Sequence, residues 1–161
     1  MTPKEIMKKF GYNTVSKPDA DGISIASMSK HPGTKKITRL KYFFHIKNGQ
    51  PIYDPVLHMF DEVHPFVNGW ARWRIFAGIG YVNKSGIIFK YNRDLLSCSG
   101  KDNDKFLTIT DFSDKGFAIV TNVYAFTMII DTHGNLIEIV EKGFEADPVF
   151  VLNLRNKYNL L

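Results

Sequence analysis

The stretch that decides the fold is residues 37–53, ITRLKYFFHIKNGQPIY. Its first ten residues are mainly apolar and aromatic, which is typical of a β-strand because branched and aromatic side chains pack well on a pleated surface. Asn48 and Gly49 follow, and an Asn-Gly pair readily adopts the positive φ angles of a two-residue hairpin turn. The apolar segment after the turn predicts a second strand. An antiparallel hairpin is therefore the first unit of the predicted fold.

Strand and turn signals continue beyond this hairpin. In the segment WARWRIF, residues 70–76, the two-residue period of a strand places four side chains on one face: Trp70, Arg72, Arg74 and Phe76. Residues 80–91 are predicted as strand–turn–strand, with Gly86 in the turn, and further strand segments are predicted at 106–112, 116–131 and 135–141.

A helix is predicted at each end of the chain. Thr2 can cap the first helix and Gly11 can end it. Residues 13–36 carry two prolines and two glycines, which favours loops around one short strand near Ile23–Met28. The second helix is predicted at 146–161.

The expected architecture is a single, mainly β domain of 161 residues, a length within the usual range for one domain. It begins with a helix and a basic, loop-rich segment at 1–36. Stacked antiparallel hairpins follow at 37–145, as about two and a half repeat units, with an exposed polar loop at 92–105. The C-terminal helix completes it. Hydrophobic residues make up 44% of the chain and aromatic residues 14%, so a core is expected without a metal or disulfide.

The sequence also predicts the compartment. Cys98 is the single cysteine, so no intrachain disulfide can form and a reducing environment is expected. The first residues lack the apolar core of a signal peptide, and no stretch approaches the roughly 18 apolar residues of a membrane span. We therefore predict a cytoplasmic protein without a membrane partner.

Positive charge is concentrated near the N-terminus. The net charge is +5, but residues 1–50 carry ten Lys and Arg against three acids, a net +7. Residues 51–161 carry eleven against thirteen, a net −2. A basic region of this kind can attract nucleic acid or an acidic partner, and it can equally serve only to keep the protein soluble.

The chain contains an internal repeat. One copy runs from Phe66 to Gly86 and another from Phe112 to Gly134. Each has a Phe, a short polar turn, a Gly-aromatic-Ala triplet, a strand and a closing turn of the form Asn/Asp-x-x-Gly. A third, partial copy carries its turn at Gly49. Because a lone hairpin is only marginally stable in water, such units are expected to stack.

This repeat resembles the WG-repeat family, also called KWG repeats. The family's units follow a Phe-x-x-Gly-Leu-Ala-x-Val and then a Trp-Gly-Tyr-Ile-Asp-x-x-Gly scheme, and the resemblance covers roughly residues 40–140. The chain departs from the scheme where Ile79 precedes Gly80 and where Thr127-Met128 stand in place of Trp-Gly. The resemblance implies a β-hairpin array used for binding, and it implies no catalytic residue.

The sequence carries no recognisable catalytic motif. His58, Asp61, Glu62 and His64 are metal-ligand residue types, but their spacing fits no standard metal motif. Cys98 lies between two serines in a loop-like segment, without a base beside it in sequence. We therefore predict no metal, no cofactor and no enzymatic activity. An enzyme with an unrecognised site is a third hypothesis, after the two binding functions given below.

Two groups of residues are candidates for binding a partner. The first is the strand face of Trp70, Arg72, Arg74 and Phe76, because alternating aromatic and guanidinium groups can anchor a protein or stack on bases. The alternative is that the aromatic rings are buried while the arginines reach outward. The second is the basic run of Lys35, Lys36, Arg39 and Lys41, which could contact phosphates or could simply discourage edge-to-edge aggregation.

These observations favour a non-enzymatic protein-interaction module, such as a small inhibitor or adaptor that binds a macromolecular partner. The alternative is a nucleic-acid-binding protein that uses the basic N-terminal third. Exposed hairpin edges could also pair between copies of the chain and form an oligomer.

Overall fold

We describe the protein from a computed structural model. The described residues are 1–30, 37–55, 57–75, 78–90, 106–122, 126–142 and 156–158, and the side chains of a few residues at the ends of these ranges are not described. The predicted loop at 92–105 lies outside them, as does the predicted C-terminal helix except at its last described residues, where Asn156 and Lys157 are helical.

The described chain is mainly β, as the sequence predicts, with one N-terminal helix and three antiparallel sheets. The elements are α1 (Pro3–Phe10), β1 (Thr14–Val15), β2 (Ile23–Lys30), β3 (Ile37–Lys47), β4 (Gln50–Pro51), β5 (Glu62–Val63), β6 (Trp70–Ile75), β7 (Gly78–Asn83), β8 (Phe106–Ile109), β9 (Phe117–Asn122), β10 (Phe126–Asp131) and β11 (Leu136–Lys142). The sheets have the strand orders β1–β2–β3–β4, β5–β6–β7 and β11–β10–β9–β8. None of the helices in the described part of the chain could cross a membrane.

The chain forms two compact units. The N-terminal unit comprises Met1–Pro65, Trp73–Phe76 and Lys84–Ile87, and the C-terminal unit comprises Phe66–Arg72, Ala77–Asn83 and Ile88–Leu161. The single domain expected from the sequence stays a prediction, and each unit is described by itself.

Helix α1 begins and ends where the sequence predicts. The Thr2 hydroxyl accepts a hydrogen bond from the backbone N–H of Glu5, and the Glu5 carboxylate accepts one from the backbone N–H of Thr2. This reciprocal capping box satisfies two backbone donors that the helix leaves open. Gly11 ends the helix in the left-handed conformation, with φ +74°.

In the N-terminal unit, strand β3 is buried on one face and, at His45, on the other face as well. Tyr42, Phe44 and Ile46 are at most 3% exposed on one face, and His45 is fully buried on the other. A strand segment covered on both sides reads as a nearly continuous apolar run, which agrees with the aromatic and apolar stretch at 42–46.

The β3–β4 turn forms at Asn48 and Gly49, as predicted. Both residues have positive φ, at +51° and +83°, as a type I′ turn requires. The turn also has a tertiary role, because the Tyr12 hydroxyl donates a hydrogen bond to the Gly49 carbonyl oxygen at 2.8 Å. A Cβ at position 49 would overlap the Phe10 ring.

The C-terminal unit is built around a four-stranded antiparallel sheet. The segment 116–131, predicted as one strand, forms two: β9 and β10 pair with Thr121 opposite Thr127 and Phe117 opposite Asp131. The reversal brings alternate apolar residues of both strands to one face. There they join a buried cluster that includes Tyr81, Phe89, Ile109, Phe112, Ala118, Val120, Met128 and Ile130.

Corresponding glycines of the two repeat copies have similar backbone conformations. Gly69 and Gly116 have φ of +91° and +84°, and Gly86 and Gly134 both have φ of +79°. In the Gly-aromatic-Ala triplets that begin at Gly69 and Gly116, both alanines are fully buried. The corresponding glycines thus share a positive φ, while the turns differ: Asn68 also has positive φ in a two-residue turn between Val67 and Trp70, whereas the turn at Gly116 runs from Ser113 to Phe117.

We predict that Gly49→Ala lowers the free energy of unfolding by about 2–4 kcal/mol. A positive φ costs a side-chain-bearing residue roughly 1–2 kcal/mol, and displacing the Phe10 ring adds an overpacking cost. Urea unfolding followed by circular dichroism measures the change. Gly11→Ala is the matched control, because its φ is also positive but its Cβ would meet open space. Equal losses in the two variants would contradict the contact with Phe10.

Candidate functional site

The structure packs Trp70 inward. Its ring lies 5.0 Å from the Phe89 ring and 6.3 Å from the Phe112 ring, measured between centroids, within the C-terminal unit. The neighbouring Arg72 donates from Nε to Asp111 Oδ1 at 2.7 Å. Trp70 is thus half-buried and Arg72 is held by an ion pair with Asp111, and a partner-binding role for these two residues stays a prediction.

In the N-terminal unit, Arg74 contacts an acidic residue of the neighbouring strand. Its Nη2 lies 2.5 Å from Glu62 Oε2, and the other oxygen of Glu62 lies 2.9 Å from His64 Nε2. The Arg74 side chain is 61% exposed, and such exposed pairs contribute little to stability. The Arg74 guanidinium is thus exposed at the surface, but it is paired with the Glu62 carboxylate.

The other predicted partner-binding residues are only partly described. Lys41 is exposed, and Arg39 lies in strand β3. Phe76, Lys35 and Lys36 lie outside the described residues. Of the basic run 35–41, the structure therefore describes only Arg39, by its position in β3, and Lys41.

A buried polar network centred on His45 was not predicted from the sequence. The imidazole Nε2 lies 2.8 Å from the carbonyl oxygen of His64, and Nδ1 lies 2.8 Å from the Tyr53 hydroxyl. Because a carbonyl can only accept, Nε2 carries the proton, and Nδ1 accepts from the hydroxyl. The same hydroxyl accepts the backbone N–H of His45 at 3.0 Å.

Burial holds this network in its neutral form. Desolvation lowers the pKa of His45 from 6.5 to about 4, against a weaker opposing effect of the bond to the His64 carbonyl. Burial also raises the pKa of Tyr53. Both shifts follow because removing a charged group from water is unfavourable. At neutral pH the two side chains are therefore a hydrogen-bonded, uncharged pair.

Aromatic rings continue from this network along the segment that joins β4 to β5, residues 52–61, which we call the connecting loop. The rings of Tyr53 and Phe60 meet edge to face at 5.6 Å. His58 contacts both, at 5.9 Å and 5.8 Å, and Phe60 stacks on Trp73 at 4.9 Å. The loop is thus held at both ends by buried rings.

Two large apolar side chains of the connecting loop remain exposed. Leu57 is 75% exposed and Met59 is 38% exposed, on either side of the inward-facing His58. Ile87, 58% exposed, follows Gly86, where a Cβ would lie 2.5 Å from the carbonyl oxygen of Ile52. We call Leu57 and Met59 the loop surface, and Ile87 lies beside the same loop. Such a surface on a fixed loop is a candidate interaction site.

The loop surface has an acidic border. Residues 48–71 contain three acidic residues, Asp54, Asp61 and Glu62, and neither Lys nor Arg. Asp54 and Asp61 are exposed. In a chain of net charge +5, this 24-residue absence of cations was the sequence signal that could have drawn attention to the loop.

The clustered His and acidic residues of this region have other partners. His58 packs on rings, and Glu62 pairs with Arg74 and His64. Among the described residues, no group of three or more His, Cys, Asp or Glu could hold a metal ion. Cys98 lies outside the described residues.

No protein-family model, curated protein or solved structure matches this chain. The resemblance to the WG-repeat family therefore stays a prediction. The loop surface and the network beneath it are defined by their own geometry.

We predict that stability falls as the pH is lowered from about 6.5 to about 4. The folded state keeps His45 neutral down to about pH 4, whereas the unfolded chain protonates it near 6.5. The stabilisation is therefore complete above 6.5 and is lost towards 4, by at most roughly 3 kcal/mol at 1.36 kcal/mol per pKa unit. NMR titration of the five histidine rings should show one that titrates near pH 4 in the folded protein. Titration of all five between pH 6 and 7 would contradict the buried network.

Proposed function

We propose that this protein is a non-enzymatic protein-interaction module that inserts its loop surface into an apolar groove of a partner protein. The observation that carries the proposal is Leu57, which is 75% exposed on a loop fixed by buried aromatic rings. Burying a leucine side chain contributes about 1.5–3 kcal/mol. A partner that covers Leu57 would therefore gain this free energy on binding.

The connecting loop is organised before binding. Its N-terminal end is attached through Tyr53 to His45, and at its other end the Phe60 carbonyl accepts the backbone N–H of Phe43 at 2.8 Å. Ordering a flexible loop on association opposes binding. Because both ends of this loop are already held, we expect less of the contact energy to be lost when Leu57 and Met59 are covered.

The acidic border indicates the chemistry of the partner. Asp54 and Asp61 flank the loop surface in sequence and are exposed, so we expect the groove that receives it to be apolar at its centre and basic at its rim. Phosphate backbones and anionic lipid surfaces carry the wrong charge for this site. A protein of this kind would act as a small inhibitor or adaptor, without chemistry of its own.

Nucleic-acid binding by the basic N-terminal third is the second candidate function. Helix α1 exposes Lys4, Lys8 and Lys9, and Lys41 is exposed on β3. Such cations can contact phosphates, with an affinity that falls steeply as salt is added. A cytoplasmic location belongs to either proposal, since the single cysteine, Cys98, cannot form an intrachain disulfide.

We predict that Leu57→Ser/Met59→Ser abolishes capture of the partner while leaving the fold intact. Exposed substitutions usually change stability by less than about 0.5 kcal/mol, whereas removing two central apolar contacts should weaken binding strongly. The measurement is affinity capture from a lysate with and without nuclease, read by mass spectrometry. Circular dichroism checks the fold of each variant.

Ile137→Ser/Ile139→Ser is the matched control. These two isoleucines are 43% and 40% exposed on β11 of the C-terminal unit, so the control removes similar apolar surface elsewhere. A partner retained by the control and lost by the loop variant supports the proposal. Partner binding that both variants retain would overturn the proposal. Capture that nuclease removes would also overturn it and would favour the second candidate function.

A further inference from the structure

A pocket of about 150 Å³ lies in the N-terminal unit between helix α1, the loop before β2 and the β3–β4 turn. It is partly open to solvent, and its lining is mainly apolar and includes Pro3, Ile6, Pro18 and Ile46. Ile6 and Ile46 are buried, whereas Pro18 is exposed. The pocket is therefore an apolar recess that a side chain could enter from outside.

The pocket and the loop surface lie on opposite faces of strand β3. Ile46 lines the pocket, and its neighbour His45 holds the connecting loop through the Tyr53 hydroxyl. Adjacent residues of a strand point to opposite faces. The connecting loop is thus held on the face away from the pocket, and Leu57 remains exposed. The loop surface of one chain therefore does not fill its own pocket.

The two sites carry opposite charge. The segments that contain the lining residues, 1–24 and 46–49, have five lysines and three acidic residues, a net +2. The connecting loop, 52–61, has two aspartates and neither Lys nor Arg, a net −2. Lys4, Lys17 and Lys47, which we call the pocket border, are exposed, and each is next in sequence to a lining residue. Complementary charge of this kind orients two proteins as they meet.

The acidic side chains beside the pocket have partners within the unit. Glu5 closes the capping box of α1, and Asp19 accepts the backbone N–H groups of Asp21 and Ile23. Asp21 pairs with Lys84. The lysines of the pocket border, in contrast, form no ion pair with any residue in the described part of the chain.

We propose that the pocket receives the loop surface of a second copy of this chain, with Leu57 of one copy inserted beside α1 of the next. This inference rests on the proposed function and names the partner protein. An apolar cavity of about 150 Å³ accommodates a benzene molecule, and the four-carbon side chain of leucine is smaller than that ring. Because the two sites lie on opposite faces of β3, the contact is head-to-tail and can repeat from copy to copy.

The test is sedimentation velocity of the purified protein between about 10 µM and about 1 mM, the range of weak association. We expect the average mass to rise with concentration, and added salt to oppose the rise. Leu57→Ser/Met59→Ser should raise the dissociation constant at least about tenfold, because it removes the central apolar contact. Ile137→Ser/Ile139→Ser is again the matched control and should associate as the unmodified chain does. A chain that stays monomeric, or association that the loop variant retains, would overturn the proposal.

Lys17→Glu/Lys47→Glu tests the pocket border. It should weaken association, whereas Lys90→Glu/Lys115→Glu, the same charge change at exposed residues of the C-terminal unit, should not. Mixing the loop variant with the pocket-border variant should give a dimer that grows no further, because the first keeps its pocket and the second keeps its loop. Failure of this mixture to form a dimer would overturn the assignment of the pocket.

The lysate experiment separates this inference from the proposed function. If the chain is monomeric but the loop variant still loses a captured protein of another sequence, the proposed function stands and self-association is wrong. If the chain self-associates through the loop surface, the captured partner should be the chain itself.

Discussion

The imidazole of His45 is fully buried in strand β3, and this constraint organises much of the N-terminal unit. A polar ring can remain in such a position only if both nitrogens have partners. Those partners come from outside the hairpin strand itself: the hydroxyl of Tyr53 on one side and the backbone carbonyl of His64 on the other. Satisfying one buried side chain therefore fixes the start of the connecting loop and the chain just beyond β5.

The surface of the unit follows from that interior. Once Tyr53 is attached to His45, its ring provides the edge on which His58 and Phe60 pack. With His58 turned inward, Leu57 and Met59 on either side of it are left in solvent. The exposed apolar residues are thus a consequence of how the buried rings are arranged.

Local signals in the sequence predicted the local parts of this fold. Thr2, Gly11 and the Asn48-Gly49 pair each act within a few residues, so the helix ends and the hairpin turn could be recognised. The reversal between β9 and β10 could not, because it depends on which apolar residues share a distant cluster. Long-range contacts likewise determine the position of the Trp70 ring, which packs on Phe89 and Phe112. The strand face that includes Trp70 could be predicted from the two-residue period, but the residues that pack against it could not.

The same limit applies to the candidate site. The segment 58–64 could be singled out from the sequence for its metal-ligand residue types. The exposure of Leu57 and Met59 could not be predicted, because it depends on how the rings of Tyr53, His58 and Phe60 pack.

The two tryptophans have a spectroscopic consequence. Trp70 belongs to the C-terminal unit and Trp73 to the N-terminal unit. Within the described part of the chain, the indole N–H of Trp73 is buried and has no hydrogen-bond partner. An indole shielded from water emits at shorter wavelength than a solvated one, so Trp73 should shift its emission strongly when its unit opens. With Trp73 replaced by Phe, the remaining emission comes from the C-terminal unit alone, and with Trp70 replaced it comes from the N-terminal unit. The chain therefore carries one tryptophan for each unit, which can be excited selectively over its tyrosines.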